Sequence, residues 1–169
     1  MSKLRAQRAD GGEKIAERFF SLPQVKSARS VFIYNSIRSE APTSYVISKL
    51  SEMGKTVLLP RVEGQAMVAV EYKNGVPMSE SSFKISEPQG VAFDGIPDVT
   101  VTPLLAVTKR GERLGYGGGY YDRYLQDKNT FKIGYCYDFQ VIEDVFAEEH
   151  DVKLDVVVTD KRIIQTKGR

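Results

Sequence analysis

The segment from residue 30 to residue 60 constrains the fold more than any other part of the chain. Residues 30–34 are a short β-branched and aromatic run that predicts a buried strand, and residues 56–60 predict a second strand. Residues 43–53 predict a helix between them, with Thr43 as its N-cap and Gly54 directly after its end. A strand, a helix and a strand within about thirty residues predict a βαβ unit with parallel strands and a right-handed crossover.

Further elements extend this pattern toward both ends of the chain. We expect an amphipathic helix over residues 2–20, interrupted near Gly11 and Gly12, and a short helix over residues 140–147. Apolar runs predict additional strands at residues 67–72, 83–85, 98–102, 104–107, 131–137 and 155–159. The sequence therefore predicts an α/β fold, a three-layer α/β/α single domain with a largely parallel sheet, spanning residues 1–169.

The composition excludes several classes of protein. A net charge of +2 is too small to indicate a nucleic-acid or anionic-membrane partner, and no apolar run is long enough to span a bilayer. The N-terminus is polar, unlike a signal peptide, and the single cysteine cannot form an internal disulfide, so we expect a cytoplasmic protein. One histidine and one cysteine cannot build a zinc site, so any metal should be an oxygen-bound ion such as Mg²⁺.

A glycine-rich stretch is the strongest functional signal. Residues 109–125 contain five of the fourteen glycines and four of the nine tyrosines. Consecutive residues without Cβ atoms let backbone N–H groups converge on an anion, and a helix predicted over residues 120–126 would point its positive end the same way. Nearby arginines add positive charge, and Asp122 is the acid beside the glycines. The stretch is typical of a phosphate-binding loop with a metal ligand.

Other interpretations of the glycines are open to test. A Walker A loop needs Gly-Lys followed by Ser or Thr, and the dinucleotide fingerprint needs a glycine where Tyr120 stands, so neither matches. A flexible surface turn is the simplest alternative. An RNA-binding arginine-glycine-tyrosine tract is another, but such tracts repeat, whereas this stretch occurs once between apolar runs.

The run Arg-Leu-Gly-Tyr-Gly-Gly-Gly-Tyr-Tyr-Asp-Arg at residues 113–123 closely resembles the signature of the 5-formyltetrahydrofolate cyclo-ligase family. Three further segments resemble the family: Glu-x-x-Thr at 40–43, Ile-x-Glu-Pro at 85–88 and the tail at 150–159. The resemblance implies an ATP-dependent ligase of folate one-carbon metabolism. Such an enzyme converts 5-formyltetrahydrofolate to 5,10-methenyltetrahydrofolate with release of ADP and phosphate, and it uses Mg²⁺.

The resemblance also assigns roles to residues of this sequence. It implies Arg113 and Asp122 as catalytic residues and Asp122 with Asp155 as the metal pair. Binding of the reduced folate is implied for Asn35, Glu40, Tyr116 and Tyr120. The implied ATP site consists of Arg5, Arg113, Leu114, Gly115, Tyr116, Gly117, Gly118, Gly119, Tyr120 and Tyr121.

Two other classes of function remain open from the sequence. A sugar-phosphate isomerase or acyl-transferase relative would share an α/β sheet and turn over substrate without ATP. A non-catalytic nucleotide- or RNA-binding protein would bind its ligand without releasing phosphate. For the cyclo-ligase we expect small-molecule partners only, the reduced folate and ATP, and a monomer or weak homodimer.

Overall fold

The computed structural model describes residues 2–37, 39–81, 84–149 and 151–166, with side chains from residue 11 onward. The helices of this part of the chain are α1 (Ser2–Ser21), α2 (Pro23–Ser27), α3 (Ser44–Glu52) and α4 (Tyr120–Leu125), and Asp138–Gln140 form a short 3-10 turn. The strands are β1 (Ser30–Ile33), β2 (Thr56–Glu63), β3 (Ala66–Tyr72), β4 (Met78–Glu80), β5 (Ser86–Pro88), β6 (Val99–Thr102), β7 (Ala106–Val107), β8 (Arg113–Leu114), β9 (Phe131–Tyr135), β10 (Val156–Val158) and β11 (Ile163–Gln165).

The main sheet of the described residues has seven strands in the order β11-β10-β9-β6-β1-β2-β3. β1 pairs in parallel with β2, which confirms the predicted βαβ unit, and the parallel pairing continues through β6, β9 and β10. The edge strands β3 and β11 are antiparallel to their neighbours. The chain therefore begins in the middle of the sheet, extends to one side, and returns to the other side through β6. This reversal places a topological switch point at the carboxyl ends of β1 and β6, where open α/β sheets bind ligands.

Both faces of the sheet are covered, because successive side chains of each strand point to opposite faces. On one face, Val31 and Ile33 of β1 share a buried cluster with residues of α1, α2 and α3. On the other face, Phe32 packs with Leu58, and the tyrosines of α4 lie against that cluster. The predicted three-layer α/β/α fold with a largely parallel sheet is confirmed. None of the helices among the described residues is long and apolar enough to cross a bilayer.

Helix α1 runs without interruption through Gly11 and Gly12, so the predicted break there is wrong. A Cβ atom on Gly11 would lie 3.1 Å from Cε1 of Tyr137, and one on Gly12 would lie 3.1 Å from Cγ of Pro42. The two glycines therefore allow a close approach of the helix to the segments that follow β9 and β1, which offsets their low helix propensity. Because these contacts lie at the carboxyl edge of the sheet, residues 2–10 of α1 continue past that edge.

Two other local predictions are corrected by tertiary contacts. Residues 140–147 do not form a helix: the amide of Ile142 donates to the carbonyl of Val107, and the Asp144 carboxylate accepts from the amide of Phe146. Side-chain acceptors of this kind compete with helical hydrogen bonding. A strand was expected over residues 83–85, but the strand of this region is Ser86–Pro88. Lys84 precedes it with a φ of 60°, which is outside the range of a β-strand. Residues 82 and 83 lie outside the described part of the chain.

Gly111 provides a test of the packing that supports the glycine-rich segment. Its φ is +88°, and a Cβ atom there would lie 2.5 Å from the carbonyl oxygen of Leu154. We expect Gly111→Ala to lower the free energy of unfolding by about 2–4 kcal/mol, from backbone strain and this clash together. Urea denaturation would measure the loss.

Gly75 is the matched control, because its φ is +91° and its Cβ position is open. Gly75→Ala should show the backbone strain alone and a smaller loss of stability. Equal losses for the two variants would contradict the close packing of Gly111 against Leu154.

Candidate active site at the carboxyl edge of the sheet

Two loops meet at the switch point, and the first, residues 34–37 and 39–43 after β1, is held in shape by hydrogen bonds between its ends. The Tyr34 hydroxyl donates to the carbonyl of Ala41 at 2.7 Å, and the Thr43 hydroxyl donates to the carbonyl of Tyr34 at 2.8 Å. The amides of Ser36 and Thr43 each donate to the hydroxyl of the other, at 3.1 and 3.0 Å. Thr43 is at the N-cap position of α3, as predicted. Its side chain makes no capping hydrogen bond to the helix and instead bonds within this loop.

Glu40 connects this loop to the glycine loop, residues 115–119. Its Oε1 atom accepts from the amide of Ile37 at 2.7 Å, and its Oε2 atom accepts from the hydroxyl of Tyr116 at 3.0 Å. Burial raises the pKa of the Glu40 carboxyl, while these two hydrogen bonds lower it. The structure therefore brings together two residues that the sequence assigned to folate binding, although they lie 76 positions apart in the chain.

The other two predicted folate ligands lie on either side of this contact. Asn35 donates from Nδ2 to the carbonyl of Ser86 at 3.4 Å, which places it beside the start of β5. The ring of Tyr120 packs against the cluster of Phe32 and Leu58, and the guanidinium of Arg123 lies 5.1 Å from its centroid. Asn35 thus lies beside β5, whereas the ring of Tyr120 lies beneath the glycine loop.

The glycine loop needs its glycines for conformation and for space. Gly117 and Gly119 have φ angles of 94° and 70°, in the left-handed region that favours glycine. A Cβ atom on Gly115 would lie 2.9 Å from Nη2 of Arg113, and one on Gly118 would lie 2.8 Å from the Tyr120 ring. The loop therefore lies directly on two large side chains, with its backbone exposed above them.

Arg113 is a buried cation beneath this loop. Its side chain is 7% exposed, its Nε donates to the carbonyl of Pro103 at 2.9 Å, and its guanidinium lies 5.2 Å from the ring centroid of Tyr121. Burial lowers the pKa of the guanidinium, and the nearby Asp122 opposes this effect. The arrangement offers a positive charge to an anion bound at the glycine loop.

One carboxylate lies beside Arg113. Asp122 lies 4.0 Å from its Nη1 atom and accepts the amide of Val152 at 3.1 Å. Asp151 precedes Val152, its Oδ2 atom accepts from the amide of Glu148 at 2.8 Å, and its charge raises the pKa of the Arg113 guanidinium. The bond from Val152 to Asp122 therefore places residue 151 next to Asp122 in the chain fold. Sequence reasoning missed Asp151, although it lies within the tail at 150–159 that resembles the family.

Asp155, the predicted partner of Asp122, has a different environment. It precedes β10, and its Oδ2 accepts the amide of Lys132 in β9 at 2.9 Å. This bond ties the amino-terminal ends of two neighbouring strands together, which indicates a structural role. Asp155 therefore lies at the amino-terminal edge of the sheet, whereas Asp151 precedes the residue whose amide bonds to Asp122.

The remaining predicted ATP ligands lie on the same edge of the sheet. Leu114 belongs to β8, and its carbonyl accepts from the amide of Leu105 at 2.8 Å. Tyr121 faces the core beneath Arg113, and burial raises the pKa of its hydroxyl. The side chain of Arg5 lies outside the described residues, but its backbone belongs to the part of α1 that continues past the carboxyl edge.

The structure is that of an α/β protein with a glycine loop above a buried cation at the carboxyl edge of a largely parallel sheet. The model of the 5-formyltetrahydrofolate cyclo-ligase family matches residues 1–160. The chain belongs to this family, as its sequence predicted, and it is an enzyme of the ligase class that serves folate one-carbon metabolism.

Individual relatives agree with this assignment. The chain is 35% identical to the 5-formyltetrahydrofolate cyclo-ligase of Escherichia coli K12 over 167 residues, which cover 93% of this chain and 92% of the relative. It is 31% identical to the Haemophilus influenzae cyclo-ligase, with 92% of each chain covered.

Solved structures show the same fold. The NMR structure of the Aquifex aeolicus 5,10-methenyltetrahydrofolate synthetase superimposes with a TM-score of 0.83 at 31% identity, covering 94% of this chain and 82% of that one. The Mycoplasma pneumoniae 5,10-methenyltetrahydrofolate synthetase has a TM-score of 0.71 at 23% identity, covering 92% and 88% of the two chains, and supports the fold alone.

The bond between Glu40 and Tyr116 predicts how Glu40 titrates. Tyr116→Phe removes one of the hydrogen bonds that stabilise the ionised carboxylate, so the pKa of Glu40 should rise and protonation should begin at higher pH. Carboxyl ¹³C NMR of protein labelled at glutamate would follow the titration, with Glu40→Gln used to assign the signal.

Tyr45→Phe is the control for this measurement, because Tyr45 lies on α3 and is 61% exposed. The control should leave the titration of Glu40 unchanged. An unchanged or lower pKa in Tyr116→Phe would contradict the contact between the two loops.

Proposed function

We propose that the protein converts 5-formyltetrahydrofolate to 5,10-methenyltetrahydrofolate in an ATP- and Mg²⁺-dependent reaction that releases ADP and phosphate. The formyl oxygen would take the γ-phosphoryl group of ATP, N10 would attack the activated carbon, and phosphate would leave. The hydrogen bond between Glu40 and Tyr116 carries this proposal, because it joins the loop suited to phosphate to the loop suited to the folate. The two substrates of such a transfer must meet in one crevice.

The phosphate groups would bind at the glycine loop. Phosphoryl transfer needs mainly positioning and stabilisation of negative charge. The backbone amides of residues 114–121 would supply hydrogen-bond donors. Arg113 lies beneath Gly115 and is largely buried, so its attraction for a phosphate would be stronger than the same attraction in water. Arg5 would approach from the part of α1 that continues past the edge.

The carboxylates beside Arg113 fit a magnesium ion that is held mainly by the nucleotide. Within the described part of the chain, no group of three or more acidic, histidine or cysteine side chains is arranged around a common metal position. Mg²⁺ commonly takes one or two carboxylates and completes its shell with phosphate oxygens and water. Asp122 and Asp151 would hold the ion on the protein side, and bound Mg²⁺ would neutralise charge that develops on the phosphates.

The folate would lie on the β1 side of the crevice. The carboxylate of Glu40 can accept hydrogen bonds from N–H groups of a pterin ring, and Tyr116, a residue that is 57% exposed, offers a flat ring. Asn35 adds an amide at the same side. The cytoplasmic location, the monomer or weak homodimer, and the absence of nucleic-acid and membrane partners stay predictions from the sequence.

Removing the Asp122 carboxylate tests the proposed site. We expect Asp122→Asn to lower kcat about a hundred- to a thousandfold in protein that stays folded, because it removes a charge that acts on the transferring phosphoryl group. The assay follows the methenyl product by absorbance, with and without ATP. Asp127→Asn is the control, because the side chain of Asp127 lies just beyond α4 and is 85% exposed. Near-full activity in Asp122→Asn would contradict the role of Asp122.

A pair of alanine variants separates the two assignments of the second acid. Asp151→Ala should raise the Mg²⁺ concentration that gives half-maximal rate, because it removes a proposed ligand. Asp155→Ala should instead lower the free energy of unfolding by about 1–3 kcal/mol, because the amide of Lys132 loses its carboxylate partner. If Asp155→Ala raises the Mg²⁺ requirement and Asp151→Ala does not, Asp155 is the metal-binding partner of Asp122.

A further inference from the structure

The turn that follows β9 is held rigidly by the side chains on either side of Phe139. The carboxylate of Asp138 accepts from the hydroxyl of Thr159 at 2.9 Å and from Nε of Arg162 at 2.8 Å. The side chain of Gln140 accepts the amide of Tyr137 at 2.9 Å and donates to the carbonyl of Leu104 at 2.9 Å. The turn is therefore attached both to the end of β10 and to the segment that leads into the glycine loop.

Phe139 presents its ring to solvent from this rigid turn. The residue is 69% exposed, although burial of a phenylalanine is normally favourable. Its inner face stacks on Tyr137, with centroids 5.6 Å apart and ring planes within 7°. Tyr137 is 5% exposed and packs against Gly11 of α1. The result is a flat apolar surface, fixed from below, at the carboxyl edge where this fold binds ligands.

The order of the strands places this surface opposite the folate side of the crevice. β6, which leads to the glycine loop, lies between β1 and β9 in the sheet. Neighbouring strands are about 4.8 Å apart, so the ends of β1 and β9 are separated by about 10 Å. Glu40 follows β1 and Phe139 follows β9. A ligand whose phosphates occupy the glycine loop and whose reactive end meets the folate would extend its other end toward Phe139.

We propose that Phe139 is the stacking surface for the purine base of ATP. This inference rests on the proposed function and adds the group that recognises the base. A purine is flat and aromatic, and aromatic side chains stack on such rings through offset parallel contact. A pterin ring is also flat, but the carboxylate suited to its N–H groups belongs to Glu40, on the other side of β6. The exposed side chain of Leu105, whose carbonyl accepts from Gln140 at 3.3 Å, adds apolar surface beside the turn.

Calorimetric titration with ADP and with pyrophosphate, both in the presence of Mg²⁺, tests this assignment. Both ligands carry phosphates, but only ADP carries the base. We expect Phe139→Ala to weaken ADP binding about 5- to 150-fold, the range for loss of one base–aromatic stack, and to leave pyrophosphate binding unchanged. Phe139→Trp should keep ADP affinity near that of the wild type. Phe146→Ala is the control, because Phe146 is 85% exposed and belongs to the irregular segment further along the chain.

Several outcomes would overturn the inference. Unchanged ADP affinity in Phe139→Ala would exclude the stack, and equal losses for ADP and pyrophosphate would indicate a distorted loop. A rise in KM for the folate without a change for ATP would assign the surface to the pterin. If the wild-type protein forms product and Phe139→Ala binds ADP as tightly as the wild type, this inference alone is contradicted. Wild-type protein that binds neither ligand and forms no product would contradict the proposed function as well.

Discussion

The parallel pairing of β1 with β6 is the contact on which the site depends. Its register, Val31 with Val99 through Ile33 with Val101, aligns the carboxyl ends of two strands that are far apart in the chain. The loop after β1 and the segment after β6 consequently emerge side by side, and the chain reverses direction across the sheet between them. Every proposed ligand contact lies on one of these segments, on α4, at residue 151 before β10, on the turn after β9, or on the part of α1 that continues past this edge.

Two charged side chains, Arg113 and Glu40, are largely or partly buried at this edge. Burying the guanidinium of Arg113 is costly, and the carbonyl of Pro103, the ring of Tyr121 and the nearby Asp122 offset that cost. Burial of Glu40 is offset in the same way by two hydrogen bonds. Such charges are already oriented before a ligand arrives, so little reorganisation is needed when a phosphate approaches. The glycines add to this effect, because they bring the backbone directly over the cation.

The sequence predicted what depends on local pattern and missed what depends on distant contacts. The βαβ unit and the glycine loop could be predicted because the hydrophobic spacing and the density of glycines lie within short segments. The continuity of α1 could not, since it follows from the packing of Gly11 against Tyr137, more than a hundred residues away. The proposed role of Asp151 likewise depends on the bond between Val152 and Asp122, which no local pattern reveals.

Mapping the nucleotide on the protein by NMR tests the central claim most directly, namely that ATP binds at the switch point. Titration of ¹⁵N-labelled protein with ADP and Mg²⁺ should shift the backbone amides of residues 115–119 most strongly, with smaller changes at residue 139. Changes confined to the opposite edge of the sheet, where Gln24, Ser27, Arg29 and Asp98 line a surface depression, would contradict the account.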